Sequence, residues 1–141
     1  MNPFERFAKG VVEFISPPEE AGPQGPLQVT NVTRGTVLAT RLEAAHTGPK
    51  RRKGLLGRDG LEAGEGLWIA PCESVHTFFM RFAIDVVFAA RDGRVVKVVQ
   101  AVQPWRATIA WSAFAVIELA AGEARRAGLV VGDRLIVTSE H

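Results

Sequence analysis

The sequence predicts a mainly β (α+β) fold, a compact single-domain β-barrel or strongly curved sheet with one or two short helices. Three observations carry this. At 141 residues the chain is the size of one domain. Apolar residues make up 47% of it against 23% charged, enough for a core. From residue 27 onward the apolar residues fall in short alternating or β-branched runs separated by Gly, Asp and Pro turns, the pattern of closely spaced strands. There is no repeat of fixed period, and no apolar run reaches the roughly 20 residues needed to cross a bilayer. One cysteine, Cys72, excludes a disulfide-built miniprotein.

The elements follow in order. Residues 1–15 read as an amphipathic segment, because Phe4, Phe7, Val11 and Ile15 recur at spacings of three and four on one helical face. Its ordinary role is docking on its own domain. Residues 16–26, with Pro17, Pro18, Gly22, Pro23, Gly25 and Pro26, read as an extended linker. The main domain spans 27–141. Leu27, Val29 and Asn31 alternate against Gln28 and Thr30 in a first strand, Arg34-Gly35 turns the chain, and Thr36–Leu42 is the second. Thr47 is placed to cap a short helix from about Pro49 to Leu56 that stops near Gly57. Strands follow over Gly66–Ala70, Val75–Met80 and Ile84–Ala90. Asp92-Gly93 between two β-branched runs is a hairpin signal in which both turn residues take positive φ. Gln103-Pro104-Trp105 forms a loop, Phe114–Leu119 a strand and Gly122–Ala127 a helical turn. Leu135–Thr138 closes the fold after a turn at Gly132-Asp133.

The formal net charge of +2 is too small for a dedicated polyanion binder. Its distribution is uneven: between residues 26 and 60, seven basic groups face only Glu43 and Asp59. Lys50-Arg51-Arg52-Lys53 and Arg58 form a patch that attracts phosphate or carboxylate groups. Near the N-terminus of the predicted helix, each exposed cation opposes the dipole by about 0.3–1 kcal/mol, so an acidic partner is expected elsewhere in the fold. The chain has no Tyr and no loop in which aromatic and basic residues alternate, which argues against single-stranded nucleic acid. Met1–Ser16 lacks the apolar stretch of a secretory signal, so the expected location is cytoplasmic and Cys72 a free thiol.

Few residues carry chemistry. Asp85 lies mid-strand on the face of Ala83, Val87 and Ala89, opposite Phe82, Ile84, Val86 and Phe88. A carboxylate buried there needs a partner, either Arg51, Arg58 or Arg81, or a turn that it fixes as an acceptor. Glu118 is a second acid in an apolar strand, sharing a face with Phe114 and Val116; near Asp85, one of the two pKa values rises. Cys72 and His76, four apart, form an activated thiol only within hydrogen-bond reach, and otherwise are a small hydrophobe and a strand residue. One cysteine and three histidines fall short of a zinc site, and no phosphate loop, dinucleotide fingerprint or Gly-x-Ser-x-Gly elbow is present, so neither metal nor cofactor is expected. Trp68 reads as core and Trp105, beside Pro104, as lining or covering a pocket.

These features point to a non-catalytic module that binds a small anionic ligand or a protein partner in one polar hollow formed by Arg51, Arg58, His76, Asp85 and Glu118. Two alternatives stand beside it. One is a small hydrolase-like enzyme using Cys72 with His76, or the Asp85 and Glu118 carboxylates. The other is nucleic-acid contact through Lys50–Lys53, marked by strong salt dependence.

The motifs resemble domain-of-unknown-function family 192, the uncharacterised ACR family. Arg51-Arg52-Lys53-Gly54-Leu55-Leu56-Gly57-Arg58 is similar to the family's Arg, Gly-Leu, Arg motif. Phe78-Phe79-Met80-Arg81-Phe82-Ala83-Ile84-Asp85-Val86-Val87-Phe88 resembles its aromatic-Met stretch leading into an Asp strand. Ile117-Glu118-Leu119-Ala120-Ala121-Gly122 and Gly132-Asp133 resemble its later motifs. The likeness runs from about Val29 to Val137. Many members have Trp-Met-Lys-Asn-Thr where this chain has Phe79-Met80-Arg81-Phe82-Ala83, the family's usual Pro before the Asp strand is absent here, and many members carry an export signal. The resemblance implies a compact mainly-β domain with a short helix, and no established reaction, cofactor or substrate.

Overall fold

A computed structural model describes residues 11–12 and 27–139. The strands are β1 (Val11–Val12), β2 (Leu27–Asn31), β3 (Thr36–Ala45), β4 (Glu65–Ile69), β5 (Ser74–His76), β6 (Ile84–Ala89), β7 (Val95–Val102), β8 (Ala107–Ile109), β9 (Ala115–Ala120) and β10 (Leu135–Ser139). Helix α1 (Gly48–Lys53) lies between β3 and β4, and α2 (Glu123–Arg126) follows β9. Eight strands form one sheet in the order β1-β10-β2-β3-β4-β9-β6-β7, antiparallel except for the β3–β4 pair. β5 and β8 pair separately.

The large sheet curls into a half-barrel. At its seam, Val95 N–H donates to Asp133 O (2.8 Å), Gly132 N–H to Val95 O (2.8 Å) and Leu135 N–H to Gly93 O (2.9 Å). The expected mainly-β curved sheet with two short helices is therefore the observed fold. Alternation sorts the apolar residues into two clusters. Trp68, Val87, Ala89, Ile117 and Leu119 pack with Ala124 and Leu129 on one face; Leu67, Ile69, Ile84, Val86, Phe88 and Val116 pack with Leu55 and Met80 on the other. Strands β6 and β9 are buried throughout because both faces are covered. Burying each large side chain contributes about 1.5–3 kcal/mol.

Several expectations need correction. The helix ends at Gly54 (φ 48°) rather than near Gly57, because the chain must turn to drop Leu55 into the second cluster. Its cations therefore occupy the last turn, where the dipole favours them, instead of opposing it. At the hairpin only Gly93 has positive φ (86°). Asp92 instead accepts the Arg94 N–H (3.0 Å), and Gly93 N–H donates to Ala90 O (2.9 Å), so a longer turn with a left-handed glycine replaces the two-residue one. β5 stops at His76 rather than Met80, and β8 is a strand with no counterpart in the sequence reading. Val11 pairs with Thr138 and Val12 with Val137, in strand rather than helical conformation. The other residues of segments 1–15 and 16–26 lie outside the described residues.

Asp133 closes the last turn. It accepts from Asn31 Nδ2 (2.8 Å), Arg34 Nε (2.8 Å) and Val130 N–H (3.0 Å). Burial pushes its carboxyl pKa up, but the Val130 N–H, the Asn31 amide and the Arg34 guanidinium outweigh this and hold it below the usual value.

Gly93 is the tightest point of the seam: a Cβ there would run into the Leu135 carbonyl. Gly93→Ala is expected to destabilise by at least about 2 kcal/mol in urea unfolding. Gly35→Ala, at φ 71° but facing open space, should cost only about 1 kcal/mol. Equal losses would show that the seam does not depend on that close approach.

Candidate functional site

Asp85 is fully buried, and the hydrogen bonds to its carboxyl group come from backbone amides. It accepts N–H bonds from Ala101 (2.8 Å), Gly122 (3.1 Å) and Ala124 (2.9 Å). The Ala101 amide reaches it because the β6–β7 register slips there and Ala101 takes φ 50°. Asp85 is thus the turn-fixing acceptor, and no arginine is bonded to it. It ties the end of β7 and the start of α2 to β6.

Glu118 points to the opposite face. Cross-strand pairing sets Glu43, Leu67, Glu118 and Val86 in one row, whereas Asp85 pairs with Leu119 in the adjacent row. The two acids therefore share no hollow. Glu118 is 4% exposed, and its Oε2 has no hydrogen-bond partner. Burial drives its pKa up to about 7, against the pull of Arg58. Arg58 itself is held by Glu43, Nη2 to Oε2 at 2.8 Å.

The other sequence candidates divide. Arg51 donates to His46 O (2.8 Å) at the end of β3. Arg81 pairs with Asp59 on the surface. Cys72 Sγ donates to Ser74 O (3.1 Å), and burial pushes its thiol pKa up, the reverse of what a nucleophilic thiolate requires. His76 is exposed and stacks on Phe78, ring centroids 5.0 Å apart. Glu118 is thus within electrostatic reach of Arg58 and of Cys72, while Asp85 and His76 are elsewhere. Among the described residues no group of three His, Cys, Asp or Glu is placed to hold a metal, and no helix is long and apolar enough to cross a membrane.

The most unusual surface lies on the β5–β8 sheet. Thr77, buried beyond β5, organises it. Its N–H donates to Arg106 O (2.8 Å), its hydroxyl to Gln103 O (2.6 Å), and its carbonyl accepts from Trp105 (3.0 Å) and Met80 (3.1 Å). This bonding ends the strand and fixes two left-handed residues, Phe79 (φ 66°) and Trp105 (φ 67°). Their rings meet at 4.7 Å, and Phe78 lies 6.0 Å from Trp105. Phe79 is 72% exposed and Trp105 55%. His76 and Trp105 stand out individually in the sequence, and Phe78 and Phe79 within its aromatic-Met stretch. The signal for the rest is the spacing Trp105, Ala107, Ile109, Trp111, an apolar run of period two on a strand with one covered face.

The geometry defines a small β half-barrel with buried acids and a separate aromatic-faced strand pair. The chain belongs to domain-of-unknown-function family 192 (uncharacterised ACR), whose model matches residues 29–137. A protein of unknown function from Novosphingobium aromaticivorans has a similar solved structure, with TM-score 0.68 and 26% identity over 88% of this chain and 96% of that one. A Sinorhizobium meliloti protein provisionally described as a transcription regulator shares the fold, with TM-score 0.69 and 22% identity over 83% of this chain and 95% of that one. No curated protein matches the sequence.

Two outcomes follow from the buried acids. Asp85→Asn puts an N–H₂ donor among amide donors and should cost about 2–4 kcal/mol by thermal unfolding. Glu118, with its folded pKa raised from 4.5 to about 7, binds more protons folded than unfolded between those values. Stability should therefore fall as pH rises through that window and level off above it. Glu118→Gln should remove the decline, gaining up to about 3 kcal/mol at pH about 8 and little below pH about 4.5. A pH profile unchanged by the substitution would contradict this account.

Proposed function

We propose that the domain is a non-catalytic binding module whose contact face is the outer face of the β5–β8 sheet. One observation carries this reading. Among the described residues, the exposed large hydrophobics are Phe78, Phe79, Trp105, Ile109 and Trp111 on or beside this sheet, with only Val130 and Val131 elsewhere. Keeping Phe79 and Trp105 left-handed costs about 1–2 kcal/mol each. Leaving their rings in water also forgoes burial. A fold that holds aromatic surface outward at such a cost presents it to something. Rigid aromatics beside arginine are typical anchors of recognition, and Arg106 adjoins Trp105, donating from Nη1 to its carbonyl (3.3 Å). The partner this face suits is a ligand or protein surface with a flat apolar part. Of the five polar residues expected to bind, this reading retains His76 as a contact residue.

Phe79→Gly and Trp105→Ala test it. Neither should lower stability as a core aromatic truncation does, by about 3–5 kcal/mol. Phe79→Gly should stabilise slightly by relieving the backbone. In an NMR screen of small molecules and peptides, binders should shift amides of residues 76–79 and 105–109, and both variants should weaken them at least about tenfold. Core-like destabilisation, or binders that ignore both substitutions, would sink the reading.

A further inference from the structure

We propose a second, independent site at the tip of the β6–β7 hairpin that takes a small molecule carrying a phosphate or carboxylate on a flat apolar body. The hairpin tip and the segment entering β9 flank a cleft of about 470 Å³ that is largely open to solvent. That is the size of a small-molecule site. Arg91, Asp92 and Arg94 line one side, and Ser112 and Phe114 the other. The Arg91 guanidinium lies over the Phe114 ring, 4.1 Å from its centroid, so the cation is held in place against an aromatic wall. Neither Arg91 nor Arg94 has a carboxylate within ion-pair distance among the described residues.

Closure of the half-barrel brings a third arginine beside the cleft. Arg94 and Arg134 face each other across the seam, and Arg134 Nε donates to Asp92 O (3.2 Å). Asp92 is the one acid lining the cleft, and its Oδ1 already accepts the Arg94 N–H. Arg91 and Arg94 thus line this surface with one carboxylate between them, and Arg134 lies beside it, bonded to the Asp92 backbone. Their mutual repulsion is relieved by a bound anion, and the planar fork of arginine suits the paired oxygens of phosphate or carboxylate. Ala113, and the Arg91 guanidinium lying over the Phe114 ring, supply the surface for the body of the ligand. The small anionic ligand expected from the sequence belongs here on this reading, rather than at Arg51 and Arg58.

Phenyl phosphate and benzoate are the probes, titrated into the full chain by NMR, with inorganic phosphate as the bare anion. At least one aryl anion should saturate with Kd at or below about 1 mM and bind about tenfold more tightly than inorganic phosphate. It should shift amides at 91–94 and 112–114 and weaken as salt rises. Arg91→Gln and Arg94→Gln, at exposed positions, should each weaken it about tenfold with melting temperature unchanged. Trp105→Ala should leave it intact, which separates this site from the β5–β8 face. No saturation by either aryl anion up to about 10 mM would overturn the proposal. So would affinity unaffected by both arginine substitutions, or shifts confined to residues 76–79 and 105–109.

Discussion

The buried carboxyl group of Asp85 is the constraint on which the arrangement of the sheet depends. Three amides converge on it from Ala101, Gly122 and Ala124. Each comes from a place where regular pairing has stopped: a register slip in β7 and the first turn of α2. Without an acceptor these N–H groups would be buried without partners, at about 1–3 kcal/mol apiece. One side chain thus lets two strands end side by side under a helix without opening the sheet to water. The Asp133 cluster does similar work at the seam, where Asn31 and Arg34 meet the turn before β10.

Glu118 shows the opposite outcome for the same chemistry. It sits one strand away and one residue out of step, so it faces the second apolar cluster with an oxygen left unpaired. Asp85 gains stability from its surroundings, and Glu118 costs stability whenever it ionises. The pair separates two roles that a linear reading of acids in apolar strands merges. The Arg58–Glu43 pair beside Glu118 tempers its burial without bonding to it.

The strands were legible because their alternation survives in the two clusters: Ile84, Val86 and Phe88 face one way, Val87 and Ala89 the other. That Asp85 must have a partner was legible too. Which partner was not, since backbone amides up to 39 residues away leave no mark on side-chain identity. The gathering of five polar residues did not follow, because strand order and register decide which face meets which. The aromatic face was largely hidden for another reason. Left-handed backbone at Phe79 and Trp105 runs against residue preference and is imposed by the bonds around Thr77, so a local reading continues the strand straight through to Met80.

The pairing of β2 with β10 has a consequence for biosynthesis. Val29 takes its partner from Val137, more than a hundred residues further along the chain. A nascent chain therefore carries β2 with one edge open until β10 has been synthesised, and until then that edge is a template for stray strands.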